Sequence, residues 1–418
     1  MSNTATTNEV PISAAQIRVV VLCALVTLIE GIDLTLIPAL GPKITQAWSV
    51  SAGAFGVILS TGPIGLIAGG VGVGYLADRI GRRRALIAAM GLMTLATLAT
   101  TFANDVPVLL VCRLVTGISF GGVIPVAVAL VSESLPPRAR ASVVAFVFLG
   151  QAGGGLLAAL LVKIPPPEAP WQTSVYYVAA GCLLVTALLV TMLPESPRYL
   201  LVRGGRRNRL RDLFLEGRAP GTALLWLTFI GVCAPVSFFT NWLTSMFTHA
   251  GKATDVGINA IGWYSAGAML GGLVLPLFAR RWHVNKVLLG TIVLAVASCI
   301  AMGAVLPLDD TTGLVAATIC GVFVSGAFFM LYPPAAKFYP THIRSTGIGS
   351  AVAFGRIGNM LSPVAAGFML NSGTNPSTVF YAMAAPMVLS CVALVAFDRV
   401  TATVSASADA HADAPEEA

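Results

Sequence analysis

The chain has 418 residues, of which 56% are hydrophobic and only 10% charged, whereas roughly one quarter of a soluble domain is charged. Such a composition excludes a water-soluble globular protein. The net charge of +7 does not mark a nucleic-acid binder either, because the basic residues are spread over turns between apolar runs.

In chain order, a polar tail over residues 1–15 precedes the first of about twelve apolar runs, each long enough to cross a hydrocarbon core that takes about 20 residues. They fall at 16–40, 54–77, 85–103, 106–132, 141–163, 174–193, 222–247, 258–279, 287–306, 314–336, 346–370 and 377–397. The first continues through Asp33 to Leu40 without a small-residue cleavage site, so it reads as a span and not as a cleaved signal. Residues 194–221 form the longest internal polar segment and carry Arg198, Arg203, Arg206, Arg207, Arg209, Arg211 and Arg218. This linker separates a six-span bundle over 16–193 from another over 222–398, and residues 399–418 read as a disordered tail.

With the N-terminus in the cytoplasm, only Lys43, Lys163 and Lys252 fall in external turns, and Arg113 and Arg356 lie inside spans. Every other Lys or Arg is then internal, so an even number of spans and two cytoplasmic termini are expected in a bacterial inner membrane. An offset of about 204 residues lays Arg344 over Arg140 and Pro340 over Pro136, so the halves read as a repeat. Two parallel six-span halves with a site between them at the midplane are a transporter plan.

Four ionisable residues are clearly mid-membrane: Glu30, Asp33, Arg113 and Arg356. A mid-span arginine costs about 2.5–3.5 kcal/mol on insertion scales, so it must face protein and find a partner. Glu30 and Asp33 are three residues apart and share a helical face. At about 1.5 Å of rise per residue, Asp33 and Arg113 both lie about 12 Å from the external turns, and Glu30 and Arg356 both about 18 Å from the internal ones. A proton-coupling trio of Glu30, Asp33 and Arg113 follows. Arg356 is the candidate anion-binding residue, with Gln151, Asn241, Trp242, Phe329 and Tyr332 as further substrate contacts. A static pair of salt bridges is the competing reading.

The cysteines all fall within spans, and His249, His283, His342 and His411 in turns or the tail, without metal-ligand, disulfide or triad spacing. Neither an enzyme nor a cofactor is expected. Glycine pairs such as Gly65–Gly69, Gly117–Gly121, Gly150–Gly154 and Gly267–Gly271 read as helix-packing seams and not as nucleotide loops.

Between the second and third spans runs Gly74-Tyr75-Leu76-Ala77-Asp78-Arg79-Ile80-Gly81-Arg82-Arg83-Arg84. It resembles the signature of the major facilitator superfamily, and Arg113-Leu114-Val115-Thr116-Gly117 resembles that family's R-x-x-x-G element. The resemblance implies an all-α membrane protein of twelve helices in two pseudo-symmetric six-helix bundles, working by alternating access. It also implies a cytoplasmic latch from Gly74, Asp78, Arg79, Gly81, Arg82, Arg83, Glu133, Arg138, Arg140 and Arg344, with Asp78 near the start of the eleventh span and the arginines meeting Glu133. The matching turn of the second half has Trp282 where the acid would stand.

Pro194-Glu195-Ser196-Pro197-Arg198 resembles a motif of sugar and organic-acid porters. Glu30-Gly31-Ile32-Asp33, the stretch from Trp226 to Trp242, Tyr339-Pro340-Thr341-His342-Ile343-Arg344-Ser345-Thr346-Gly347 and Gly355-Arg356-Ile357-Gly358 resemble elements of the aromatic acid:proton symporter family, with Glu30 standing for its usual Asp. That resemblance implies a monomeric symporter whose partners are a small organic acid of benzoate or hydroxybenzoate type, protons and the bilayer. A sugar or other metabolite symporter is the nearest alternative, and a drug exporter or transporter-like receptor a lesser one.

Overall fold

In a medium without water every backbone polar group needs an internal partner, which leaves a chain of this composition only the helix. The computed structural model describes residues 13–195, 210–215, 217–340 and 343–412, and among them the secondary structure is helical with no strand. Side chains of some helical residues, among them Asp78, Arg138 and Arg140, lie outside the description, as does the surface of Gly74.

The spans are α1 (Ala14–Ala39), α3 (Ala52–Ile80), α4 (Arg82–Thr100), α5 (Val106–Ser134), α6 (Pro137–Leu161), α7 (Gln172–Met192), α8 (Ala219–His249), α9 (Thr254–Phe278), α10 (Val284–Val305), α11 (Asp310–Phe338), α12 (Arg344–Asn371) and α13 (Pro376–Ala412). Among the described residues nine helices are long and apolar enough to cross a membrane on length and composition alone. The other three are α4, α6 and α12, whose 19, 25 and 28 residues reach far enough. Their hydropathy is diluted by Arg82–Arg84, by Arg138 and Arg140, and by Arg344, Arg356 and Asn359. Twelve alternating spans bring both ends of the described chain to one face, here called the near end.

Polar residues between the apolar runs set the starts of the helices. Ser13 and Gln16 form a capping box on α1, and Ser51, Asp105 and Asp309 accept the Ala54, Val108 and Thr312 amides at the starts of α3, α5 and α11. Two features depart from the expected elements. The turn after α1 is itself a short helix, α2 (Gly41–Trp48), opened by Pro42 and closed by Ser49 in the left-handed region at φ 52°. The helix of the last span runs on past 399 to Ala412, with no Gly or Pro after Pro386 to stop it within that stretch. Of the linker expected at 194–221, residues 196–209 and 216 lie outside the description, and the rest holds Glu195, a 3₁₀ turn at Leu210–Phe214 and the start of α8 at Ala219.

Small residues bring the spans together. A Cβ on Gly69 would strike the Ile118 carbonyl, one on Gly117 the Gly62 carbonyl, and one on Gly121 the Gly70 amide, so α3 and α5 touch backbone to backbone. In the second half Gly267 and Gly271 meet Thr318 and Val322 in the same way, joining α9 to α11 around a π turn at Gly321–Ser325. Gly267 and Gly271 stand 202 positions after Gly65 and Gly69, so the seam repeats in both halves.

The two halves meet along α3–α12 and α6–α9. Towards the far end the seam is closed. Ser60 donates to the Met360 carbonyl at 2.8 Å, Phe55 meets Trp242 edge-on at 5.8 Å, and Lys163 donates to Asn259. Gly69→Val is expected to lower the melting temperature in detergent through overpacking worth about 1–3 kcal/mol. Gly91→Ala, with open space around it, is expected to leave the melt unchanged.

Candidate functional site

Charge burial decides the geometry at the middle of the seam. Arg113 on α5 forms an ion pair with Asp33 on α1, and both side chains are more than 90% buried. The guanidinium also donates to Thr116 Oγ1 at 2.8 Å and to the Asp33 carbonyl at 3.4 Å. The pair predicted from depth alone is therefore in contact. Thr116 was not singled out by the sequence reading, although its spacing of three residues from Arg113 puts it on the same helical face.

Arg356 on α12 reaches across the seam into the first half. Its Nη1 donates to the Leu66 carbonyl on α3, and its Nη2 donates to the Gly121 carbonyl on α5 at 3.3 Å. Glu30 is 1% exposed and lies within Coulomb range of both Arg356 and Asp33. Its Oε2 has no hydrogen-bond partner among the described residues. One carboxylate thus stands between the Asp33–Arg113 pair and the arginine of the other half.

An aromatic side chain of the second half stands near Arg356. Tyr332 lies within its Coulomb range and meets Phe229 at 6.1 Å and Phe328 at 5.8 Å, both edge-on. Phe329, half-buried, lies where a Cβ on Gly272 would come within 3.0 Å of its ring, beside Leu149 of α6. The Gln151 backbone packs against Gly31 of α1. Asn241 turns its amide to the Ser237 carbonyl at 2.8 Å and hydroxyl at 3.1 Å.

Trp242 was also expected among the substrate contacts. It is 1% exposed, donates to the Pro363 carbonyl at 3.1 Å and packs on Phe55. Pro363 lies seven residues, two helical turns, beyond Arg356, so Trp242 belongs to the far-end seal and not to the wall around the guanidinium.

At the near end Gly81 takes φ 102°, the conformation that lets α3 stop and α4 start with Gly81 alone between them. Arg82 reaches Glu133 on α5 at 3.8 Å and donates to the Ala77 carbonyl at 3.0 Å. Arg83 donates its backbone N–H to Glu195 at 3.0 Å and its guanidinium to the Val190 carbonyl at 2.7 Å. Glu195 thus neutralises the positive end of α4 and ties it to α7, a contact the sequence reading did not foresee. Arg79 is exposed, and Arg344 donates to the Tyr339 carbonyl at 3.3 Å. The surroundings of Gly74, Asp78, Arg138 and Arg140 lie outside the described residues. In the matching turn of the second half Trp282 is 64% exposed and stacks on Phe278 at 5.5 Å.

A family model for the Major Facilitator Superfamily matches residues 23–335 and 237–416. The chain belongs to the major facilitator superfamily. It is a multi-pass membrane transporter and not an enzyme. A 3-(3-hydroxy-phenyl)propionate transporter of Escherichia coli (strain K12) is 33% identical over 393 residues, covering 93% of this chain and 96% of that protein. A gallate transporter of Pseudomonas putida is 30% identical over 423 residues, covering 92% of both chains. Among solved structures, a D-xylose-proton symporter superposes with a TM-score of 0.76 at 16% identity, over 90% of this transporter and 97% of that chain. That last likeness speaks for the fold alone.

Removing one partner of the transporter's buried pair has a definite cost. Asp33→Leu is expected to destabilise the folded protein by about 3–5 kcal/mol, because Arg113 is left charged and desolvated. Asp33→Leu with Arg113→Met is expected to recover most of that loss, as read by thermal unfolding in detergent.

Proposed function

We propose that this transporter imports a small aromatic carboxylate together with protons across a bacterial inner membrane, working as a monomer with both termini in the cytoplasm and needing no cofactor. The observation that carries the reading is Arg356. It is a guanidinium at the seam of the two halves whose hydrogen bonds go to two neutral carbonyls, with no carboxylate in ion-pair contact among the described residues. A carboxylate is a stronger acceptor than a carbonyl and fits the guanidinium fork with two parallel bonds. Tyr332, backed by Phe229, places an aromatic face near that fork, suited to a ring. The relatives named for hydroxyphenylpropionate and gallate carry substrates of this shape.

Proton coupling is assigned to Asp33, with Glu30 as its neighbour. A carboxylate paired with arginine holds its charge, and one parted from it inside the membrane takes up a proton. Rocking that breaks the Asp33–Arg113 pair therefore loads a proton, and closing it again releases one. One proton per monoanion is electrically neutral, and each pH unit then supplies about 1.4 kcal/mol, or tenfold accumulation. A second proton adds about 2.3 kcal/mol per 100 mV of membrane potential. The near-end cluster of Arg82, Glu133, Arg83 and Glu195 braces the cytoplasmic end of the first half, and Asp78 of α3 is expected to complete the latch by meeting the start of α12.

Uptake of labelled benzoates, hydroxybenzoates and sugars into proteoliposomes, with an imposed pH gradient and with or without an uncoupler, tests the substrate class. Aromatic acids are expected to accumulate only with the gradient, and accumulation of sugars instead refutes the reading. Asp33→Asn is expected to abolish accumulation while counterflow exchange persists. Arg356→Ala is expected to weaken acid binding by roughly 10–100-fold, the worth of a charged hydrogen bond. Normal binding by that variant removes Arg356 from the site.

A further inference from the structure

The contact that marks Arg356 as the anion-binding residue also crosses between the two halves. Leu66 and Gly121 belong to α3 and α5, whereas Arg356 belongs to α12. The guanidinium is therefore a strut at the middle of the membrane, pinned to backbone groups that no side-chain substitution on α3 or α5 removes.

Space for the strut comes from one residue. A Cβ on Gly70 would lie 2.8 Å from Arg356 Nη1 and 3.7 Å from its Cζ, whereas the Gly121 carbonyl would stand 3.4 Å away. The guanidinium tip thus occupies the place a side chain at position 70 would take. Gly70 is also held in the α3–α5 seam by the close approach of Gly121 to its amide, so the seat is rigid on the first-half side. The mobile partner is the arginine, at the end of a flexible stem.

Parting of the halves around Arg356 breaks both bonds. In the empty carrier that leaves the charged donor without acceptors and the Gly121 carbonyl without a donor, since Pro125 four residues on has no N–H, and an unsatisfied polar group inside the bundle costs free energy. A carboxylate bound to the guanidinium changes this balance, because it travels with α12 and keeps the donor satisfied when Leu66 and Gly121 withdraw. We propose that Arg356 locks the empty carrier through the Leu66 and Gly121 carbonyls, that Gly70 is the positioning residue that seats it, and that the substrate's carboxylate releases the lock by replacing those carbonyls. The identity of the releasing ligand rests on the substrate reading above, whereas the lock does not.

Gly70→Ala separates these statements. The added methyl meets the far end of a flexible side chain, so the fold accommodates it by moving the guanidinium off its seat. In a cysteine-free background, Gly53→Cys reports opening of the far end. Gly53 is buried on α3, and a Cβ there makes ordinary contact with Asn371 and Phe368 of α12.

Without substrate, Gly70→Ala is expected to speed labelling of that cysteine by a membrane-impermeant maleimide about fivefold, the worth of one net hydrogen bond. Arg356→Met, which removes the strut without touching α3, is expected to raise labelling in the same way. Unchanged labelling in either variant, at the parent's melting temperature, overturns the lock.

A second arm compares exchange with net uptake of a hydroxybenzoate. Exchange is expected to outpace net uptake in the parent, since only net uptake needs the empty carrier to return, and Gly70→Ala is expected to narrow that gap. An unaltered ratio overturns release by the substrate. If the parent moves no aromatic acid at all, the substrate reading falls, while the labelling arm still decides the lock.

Discussion

Two arginines inside the helical bundle organise the middle of this protein. A guanidinium cannot give up its charge, so inside a low-dielectric bundle it must be met by acceptors from whatever packs against it. Arg113 finds a carboxylate and a threonine within its own half, and Arg356 finds two carbonyls in the other half. The first arrangement ties two helices of one bundle together. The second ties one bundle to the other. Glu30, between them, is the acid that both groupings share through space.

The glycine seams make these contacts reachable. With backbone against backbone at Gly69, Gly117 and Gly121, α3 and α5 form a rigid floor whose carbonyls face the opposing arginine. The same packing recurs between α9 and α11, which gives the two halves matching cores. Dispersion between closely approaching small residues holds such seams where lipid supplies no hydrophobic contrast. Stiff halves and a seam crossed by a small number of polar contacts suit a molecule that moves as two bodies.

The repeat is not carried through to the near end. In the first half Gly81, Arg82, Arg83, Glu133 and Glu195 build a charge-compensated corner around the start of α4. The corresponding corner of the second half exposes Trp282 instead, stacked on Phe278 beside Arg280 and Arg281. An amphipathic ring flanked by basic residues is the usual furnishing of a membrane–water interface. The two corners thus carry different chemistry on a shared backbone plan.

The spans and the pairing of Asp33 with Arg113 were written in the residues, because hydrophobic length, helical rise and the cost of a buried charge are properties of the chain itself. Gly81 and the Arg82–Glu133 contact were legible for the same reason, since a glycine turn and opposite charges on adjoining spans leave few alternatives. Only the tertiary structure decided that Trp242 closes the far-end seal, that Glu195 reaches the start of α4, and that Arg356 is held by the carbonyls of Leu66 and Gly121. Those outcomes depend on the rotation and depth of helices distant in sequence. Pro125 leaves the Gly121 carbonyl without its intrahelical donor, a mark visible in the sequence, but no residue pattern says which distant side chain comes to fill it.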